Sequence, residues 1–517
     1  MKKNNIDINI TGLDFRQDVE PLIKEFFPGF IYDTDVLIDI RTGEDEFEVI
    51  VTFAGENESC ENVPADEKGA CETVPAGETG TCGKSGSVKE KVVYTSEDDL
   101  KIRRRDYRNQ LLRALYRLLS EATGKQLPWG ILTGVRPTKL LFERIEKGLG
   151  KPLQFMEEKY YCSAEKASLA ARVAALEYQL LDRIDYKHGY SLYVGIPFCP
   201  SICNYCTFGS HPIGKFSDLV EPYIEALCRE IAALAGTYSG GNGMMPRKLE
   251  TVYIGGGTPT ALEADQLRRI IRCIRDHFDW SNVHEFTVEA GRPDSITEEK
   301  LMMLREENVG RISINPQSFS QKTLDLIGRN HTTEQVFRAF SVARELGFDN
   351  INMDLIAGLT GEDVDDFRYT LECVSKLHPE SLTVHTLARK RAARLTTQPE
   401  LYEEYSSGNV TAMLELAGKF TKENGYEPYY MYRQKNMTDN LENVGYSKPG
   451  RECLYNILIM EEVQPILALG AGASSKFVRE TDGRFGRIEN VKNVREYIER
   501  IDEMIERKTN PLMILLT

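Results

Sequence analysis

The sequence predicts an α/β protein: a partial, TIM-like (β/α)6 barrel with an N-terminal α+β domain and a C-terminal α+β extension. Two observations carry that prediction. From Ser191 onward, apolar strand-like runs alternate with helical patterns, the strands falling at 191–196, 250–254, 284–290, 310–315, 351–355 and 380–386. Parallel neighbours need crossover connections, and helices supply them. The second observation is polarity. Tyr193, Glu289, Asp354 and His385 stand at or near the C-terminal ends of their strands, and Gln317 just past its own, whereas Val288, Met353 and Val384 have the opposite parity. Buried parallel strands are ordinarily apolar on both faces. One polar face therefore predicts a barrel interior that receives a polar ligand, at the strand ends where barrel sites lie.

The expected domains are 1–185, 186–395 and 396–517, the last a region that covers the substrate. In the first, Asp14 to Phe27 reads as an amphipathic helix, and Phe47–Phe53 and Lys91–Tyr94 read as strands. Between them, residues 55–90 read as a flexible insert. Cys60-Glu-Asn-Val-Pro-Ala recurs as Cys71-Glu-Thr-Val-Pro-Ala, and Cys82 follows. A metal site is conceivable there, but Gly, Glu, Thr and Pro dominate, and a long loop is the preferred reading. Ser96 to Thr123 predicts a helix with Ser96 as its cap and Leu111, Leu112, Leu115 and Leu118 on one side. Trp129 to Thr138 interrupts the pattern, and a further helical stretch runs to about Ile184. In the barrel, Phe216, Leu219, Val220, Tyr223, Ile224, Leu227 and Ile231 are spaced for one apolar helix face.

The chain has 517 residues and a formal net charge of −15. That charge argues against nucleic acid or an anionic membrane surface as the main partner. No apolar run is long enough for a membrane span. The start, MKKNNIDINITGLDF, lacks the apolar core of a signal peptide. The eleven cysteines are therefore expected in a reducing cytoplasm, with thiols free for metal.

Cys199, Cys203 and Cys206 form a CxxxCxxC run directly after a strand. Three thiolates in one loop can hold three irons of a 4Fe-4S cluster, leaving the fourth iron open to a substrate or cofactor. A closed zinc site would need a fourth ligand, for which His211 is the nearby candidate. A disulfide does not suit a reducing compartment. A second strand runs into Gly255, Gly256 and Gly257. This loop lacks the lysine of a phosphate-binding loop and the spacing of a dinucleotide fingerprint. Its bare backbone can instead approach the amino and carboxylate groups of an amino-acid-like ligand.

With these residues the chain resembles the radical S-adenosylmethionine enzymes, and within them the oxygen-independent coproporphyrinogen III oxidases, most closely the HemZ branch. The resemblance is strong over about 190–390. It extends to 426–436, 445–450 and 468–472, and Leu132-Thr-Gly-Val-Arg-Pro-Thr138 resembles the HemZ branch specifically. It implies that Cys199, Cys203 and Cys206 hold the cluster. It implies that Tyr193, Gly256 and Glu289 contact one S-adenosylmethionine. Tyr205, Gly257, Thr258, Gln317, Arg329, Asp354 and Ala388 would contact a second. Two departures stand out. Phe208 replaces the last cysteine of the oxidases' CxxxCxxCxC pattern, an ending shared with the haem-chaperone branch. Gly195 replaces a histidine.

The implied reaction is anaerobic decarboxylation of coproporphyrinogen III to protoporphyrinogen IX. A 5′-deoxyadenosyl radical takes hydrogen from a propionate β-carbon. Loss of carbon dioxide and one electron then leaves a vinyl group. The cofactors carry the hard chemistry, and the protein supplies position and exclusion of water. A low-potential donor such as a flavodoxin or ferredoxin is the expected electron source. The substrate carries four carboxylates, for which Arg389, Arg391, Arg394, Arg433 and Lys435 are candidates. The alternative function is haem binding and delivery without decarboxylation, favoured by Phe208.

Overall fold

Alternating apolar residues build the first sheet. In Glu46–Phe53, Phe47, Val49, Val51 and Phe53 are buried while the residues between them are not. The computed structural model describes residues 5–27, 31–53, 85–96, 99–134, 136–206, 209–237, 246–387, 407–433, 441–478 and 485–509. The described residues group into two units, Met1–Val135 with Leu149–Leu169, and Arg136–Gly148 with Ala170–Thr517.

The first unit carries a sheet in the order Asn5–Thr11, Ile31–Thr42, Glu46–Phe53, Gly86–Lys91. The first pair is parallel and the other two antiparallel. Two helices accompany it, Arg16–Phe26 and Leu100–Thr123. Phe15 stacks on Tyr107 at 5.0 Å between ring centroids, and the Tyr107 hydroxyl donates to the carbonyls of Gly43 and Glu46.

Three local expectations need correction. The strand expected at Lys91–Tyr94 lies at Gly86–Lys91, so it takes in residues assigned to the insert. Val93 leaves the ladder and is exposed, its N–H and carbonyl taken by the Gln110 side chain. The helix cap is Asp99, not Ser96. The Asp99 carboxylate accepts from the N–H groups of Lys101 (2.8 Å) and Ile102 (3.2 Å). Asn5–Thr11 and Ile31–Thr42 are strands that the sequence reading omits. Cys60, Cys71 and Cys82 lie outside the described residues. Asp99→Ala is expected to cost about 1 kcal/mol in urea unfolding, with Asp99→Ser close to wild type. Equal midpoints for all three proteins would refute the cap.

The second unit holds the six barrel strands: Gly189–Ile196, Lys248–Gly256, Glu285–Gly291, Arg311–Ile314, Ile351–Ala357 and Ser381–Thr386. Each falls within a few residues of its expected place. They run side by side in sequence order and all in parallel. Among the described residues the sheet does not close on itself. Asn443–Ser447 and Glu427–Tyr432 extend it beyond the sixth strand, antiparallel. Ile466–Leu469 adds parallel to the first strand, followed by Ser474–Val478 and Phe485–Glu489. Among the described residues the sheet has eleven strands.

Helices cover one face of this sheet. Helix Val220–Leu234 buries Tyr223, Ile224, Leu227 and Ile231 in one cluster with Leu192, Val194 and Ile254 of the strands. Helices Ala264–His277, Thr333–Glu345 and Val364–Leu377 each start with a reciprocal capping box, which fixes where each crossover turns. Among the described residues no helix is long and apolar enough to cross a membrane.

Candidate active site

In five of the six barrel strands one interior position escapes full burial, and the fourth strand, Arg311–Ile314, is buried throughout. Tyr193, Tyr253, Glu289, Asp354 and His385 are each partly accessible, while the strand residues on either side of each are buried. This is the polar barrel interior that the parity of the sequence predicts. Tyr193 pairs in register with Tyr253, and Glu289 with Ser313. Tyr193 stacks on Tyr253 at 6.2 Å, and Tyr455 from helix Leu454–Glu461 stacks on Tyr253 at 4.5 Å. The Tyr253 hydroxyl donates to Glu289 Oε1 at 2.5 Å.

Electrostatics separate the two interior carboxyls. Burial pushes the Glu289 carboxyl up to about 7, against the pull of the Tyr253 hydrogen bond, with the charge of Asp354 adding to the rise. Burial acts on Asp354 too, but His385, Asn352 and Thr383 outweigh it and hold that carboxyl below the usual range. Asn352 donates to Asp354 Oδ1 at 2.7 Å, and His385 Nε2 lies 3.9 Å from Oδ2.

The cysteine loop crosses the C-terminal end of the first strand. Phe198–Cys199 pairs with His211–Pro212, and Asn204 N–H donates to the Ile327 carbonyl, tying the loop to the helix after the fourth strand. Thr258 Oγ1 lies 3.4 Å from Cys199 Sγ. Arg292 Nη1 lies 3.6 Å and Arg329 Nη1 4.0 Å from Cys203 Sγ. Ser210 Oγ lies 3.8 Å from Cys206 Sγ. Arg329 also donates to the Tyr205 hydroxyl (2.8 Å) and the Asn315 carbonyl (2.5 Å).

The glycine loop lies against the same cysteines. Gly257 N–H donates to the Ile196 carbonyl at 2.7 Å. A Cβ on Gly257 would fall 2.5 Å from the Phe198 carbonyl oxygen and 3.0 Å from Cys199 Sγ. Gly256 has φ +109°, a conformation that side chains avoid. Backbone thus replaces side chain where the sulfur loop and the strand end meet. Gln317, at φ +66°, hydrogen-bonds through its backbone to Asp354 and Ile356, and its buried Oε1 has no protein partner. Thr287 Oγ1 and Ser313 Oγ are likewise buried without one.

These observations fit the cluster and cofactor. Among the described residues no group of three Cys, His, Asp or Glu side chains converges to hold a single metal ion. A four-iron cluster takes one thiolate per iron and needs no such convergence. The backbone cradle beside Cys199 and the unpaired polar atoms of the interior suit a polar ligand at an open iron. Ala388, Arg389, Arg391, Arg394, Lys435 and Phe208 lie outside the described residues. Arg433 is buried just after strand Glu427–Tyr432. The sequence reading misses Tyr253, Arg292 and Tyr455. A sharper signal existed for Arg292, a cation in the loop after a barrel strand. Tyr455 sits on a helix far along the chain and offers none.

The fold and the sulfur loop define a radical S-adenosylmethionine domain. The profile of the Radical SAM superfamily matches residues 193–374. The oxygen-independent coproporphyrinogen-III oxidase-like protein HemZ of Bacillus subtilis (strain 168) is 44% identical over 395 residues, 76% of this chain and 78% of the relative. The heme chaperone HemW of the same organism is 32% identical over 315 residues, 60% of this chain and 76% of the relative. The structure of coproporphyrinogen III oxidase (HemN) from Escherichia coli, a radical SAM enzyme, superposes with a TM-score of 0.51 at 24% identity, covering 64% of this chain and 73% of that one. The chain belongs to the HemZ family of oxygen-independent coproporphyrinogen III oxidase-like proteins, within the radical SAM superfamily.

Proposed function

We propose that this protein decarboxylates two propionates of coproporphyrinogen III to vinyl groups without oxygen, yielding protoporphyrinogen IX. The observation that carries the reading is one juxtaposition. Cys199 and the Gly257 backbone adjoin at the mouth of a barrel whose interior presents Tyr193, Glu289 and Asp354. The 44% identity to the HemZ relative supports the substrate class. When bound, a 4Fe-4S cluster supplies the low-potential electron that cleaves S-adenosylmethionine and so generates the oxidising radical.

The chain's own residues bind and orient. Cys199, Cys203 and Cys206 hold the cluster. The Gly256 backbone, Glu289 and Tyr193 would contact the first S-adenosylmethionine. Tyr205, Gly257, Thr258, Gln317, Arg329, Asp354 and Ala388 are proposed around a second. Arg389, Arg391, Arg394, Arg433 and Lys435 are proposed for the substrate carboxylates. A low-potential flavodoxin- or ferredoxin-like donor completes the system.

Glu289 makes this testable by pH. The ionised carboxylate is the form that attracts a cationic cofactor, and its fraction rises with pH through about 7. Cofactor affinity of reconstituted protein, measured by calorimetry, is therefore expected to fall up to about tenfold per pH unit below that point. Glu289→Gln is expected to bind weakly at every pH. A pH-independent wild-type affinity between 6 and 8 would refute the role.

A second reading is haem delivery without decarboxylation, supported by Phe208 and by the heme-chaperone relative. Anaerobically reconstituted protein given dithionite, S-adenosylmethionine and coproporphyrinogen III separates the two. Tricarboxylate and dicarboxylate products with 5′-deoxyadenosine support the decarboxylase. Tight haem binding without porphyrinogen turnover overturns it.

A further inference from the structure

Cys203 is set against two guanidinium groups. Arg292 Nη1 lies 3.6 Å from its sulfur and also donates to the carbonyl and hydroxyl of Ser201, each at 2.9 Å. The rest of that guanidinium is held in a fork. Nε donates to Asp294 Oδ1 at 2.9 Å and Nη2 to Oδ2 at 2.6 Å. The Arg292 side chain is 4% exposed. A bidentate fork fixes the guanidinium plane, so Nη1 has little freedom to turn from the sulfur.

The loop that carries both residues is itself anchored. Gly291 ends the third barrel strand, and Pro293–Ser295 forms one tight turn. Ser295 returns two hydrogen bonds to the Arg292 carbonyl, at 2.9 Å from N–H and 2.8 Å from Oγ. Arg329 Nη1 makes a longer contact with the same sulfur, 4.0 Å, and donates to the Tyr205 hydroxyl at 2.8 Å, while Nη2 donates to the Asn315 carbonyl. His331 is fully buried beside this group, and burial with the Arg329 charge pushes its imidazole down to about 3, so it is neutral. Among these side chains the charges facing Cys203 are two guanidiniums, with the Asp294 carboxylate behind Arg292.

We propose that Arg292 sets the reduction potential of the cluster through its hydrogen bond to Cys203, and that Asp294 limits its effect. The inference rests on the cluster reading above. Reduction adds one electron, hence one negative charge, to the cluster and its thiolates. A fixed cation at the sulfur stabilises the reduced form more than the oxidised one, most strongly where water is excluded. Asp294, held by the same guanidinium, partly cancels that field. Arg292 thus makes the cluster reducible by its donor, and Asp294 keeps it reducing enough to act on a sulfonium. Arg292 is a positioning residue, since it acts through the cysteine.

The test uses the full chain, reconstituted anaerobically, as wild type, Arg292→Gln, Arg292→Lys and Asp294→Asn. Iron and sulfide are assayed, and the midpoint potential is read by electron paramagnetic resonance during a dithionite titration. Arg292→Gln is expected to lower the ratio of reduced to oxidised cluster about tenfold at the wild-type midpoint, a fall of about 59 mV for one electron. Arg292→Lys, which keeps the charge, should move it less. Asp294→Asn should move it the opposite way. A purely structural role for this pair does not produce shifts of opposite sign. Equal midpoints in wild type and Arg292→Gln, both with full iron, overturn the proposal. If Arg292→Gln loses its iron, Asp294→Asn decides, and an unchanged or lowered midpoint there overturns it. A wild-type protein that takes up no cluster overturns the underlying reading and this inference with it.

Discussion

Cys203→Ala is expected to abolish the broad visible absorption of the reconstituted protein and all radical chemistry with it. Two thiolates would leave two irons of the cluster without protein thiolate ligands, and the loop holds no fourth cysteine to replace the lost one. Thr258 and Ser210 touch the other two sulfurs as hydrogen-bond partners, not as additional thiolates. The loss is also electrostatic. Arg292 and Arg329 would face a methyl group where they now face sulfur, in a layer where Arg292 is 3% and Arg329 4% exposed. Each guanidinium keeps its other partners but loses one acceptor, so a smaller cost to folding, about 1 kcal/mol, is expected as well. Cys203→Ser keeps a hydroxyl for the guanidiniums and separates the two effects. Its thermal midpoint should stay near wild type while its iron content collapses. Full iron and sulfide in Cys203→Ala would falsify the ligand set.

The second large effect lies away from the sulfur loop. Lys508→Met is expected to destabilise the fold by about 3–5 kcal/mol, the cost of leaving a buried carboxylate without its cation. Lys508 and Glu230 have no exposed side-chain surface, and Lys508 Nζ lies 2.7 Å from Glu230 Oε1. The other donors to Glu230 are Tyr497 Oη, Asn490 Nδ2 and the N–H of Gly470. Lys508 also donates to the Ala468 carbonyl at 2.7 Å. The network therefore clamps 468–470 beside the end of the first barrel strand. Gly470 has φ +99°, and a Cβ there would fall 2.5 Å from the Gly195 carbonyl oxygen. Chemical denaturation measures the loss. The double variant Glu230→Leu with Lys508→Met should recover only part of it, because Tyr497, Asn490 and Gly470 then lose their acceptor. An unchanged denaturation midpoint in Lys508→Met would show that the pair contributes nothing.

The two cases differ in what the chain reveals before it folds. The six barrel strands are legible because each is a short apolar run closed by a helix start, and the structure moves their ends by only a few residues. The N-terminal strand Ile31–Thr42 is missed although Val36, Ile38 and Ile40 are buried at every second position, since Asp33, Asp35 and Asp39 break up its apolar run. Lys508 reads as one more surface cation in Ile501–Thr509, a helix otherwise rich in charge. Nothing local marks it as buried.

The sequence by itself determined the chemistry: three cysteines within one loop, a glycine run after the next strand, and polar residues at the strand ends. Candidate ligands so close together need little more than local chain geometry to meet, and period-two alternation assigns a strand's faces without any partner. The tertiary structure alone decided what surrounds those groups. Arg292 lies 89 residues and Arg329 126 residues beyond the Cys203 that they face. Tyr455 reaches Tyr193 and Tyr253 from a different part of the chain. Such meetings follow from the curvature of the parallel sheet. It gathers the C-terminal ends of separate strands around one interior, and no residue's immediate neighbours encode which ends will touch.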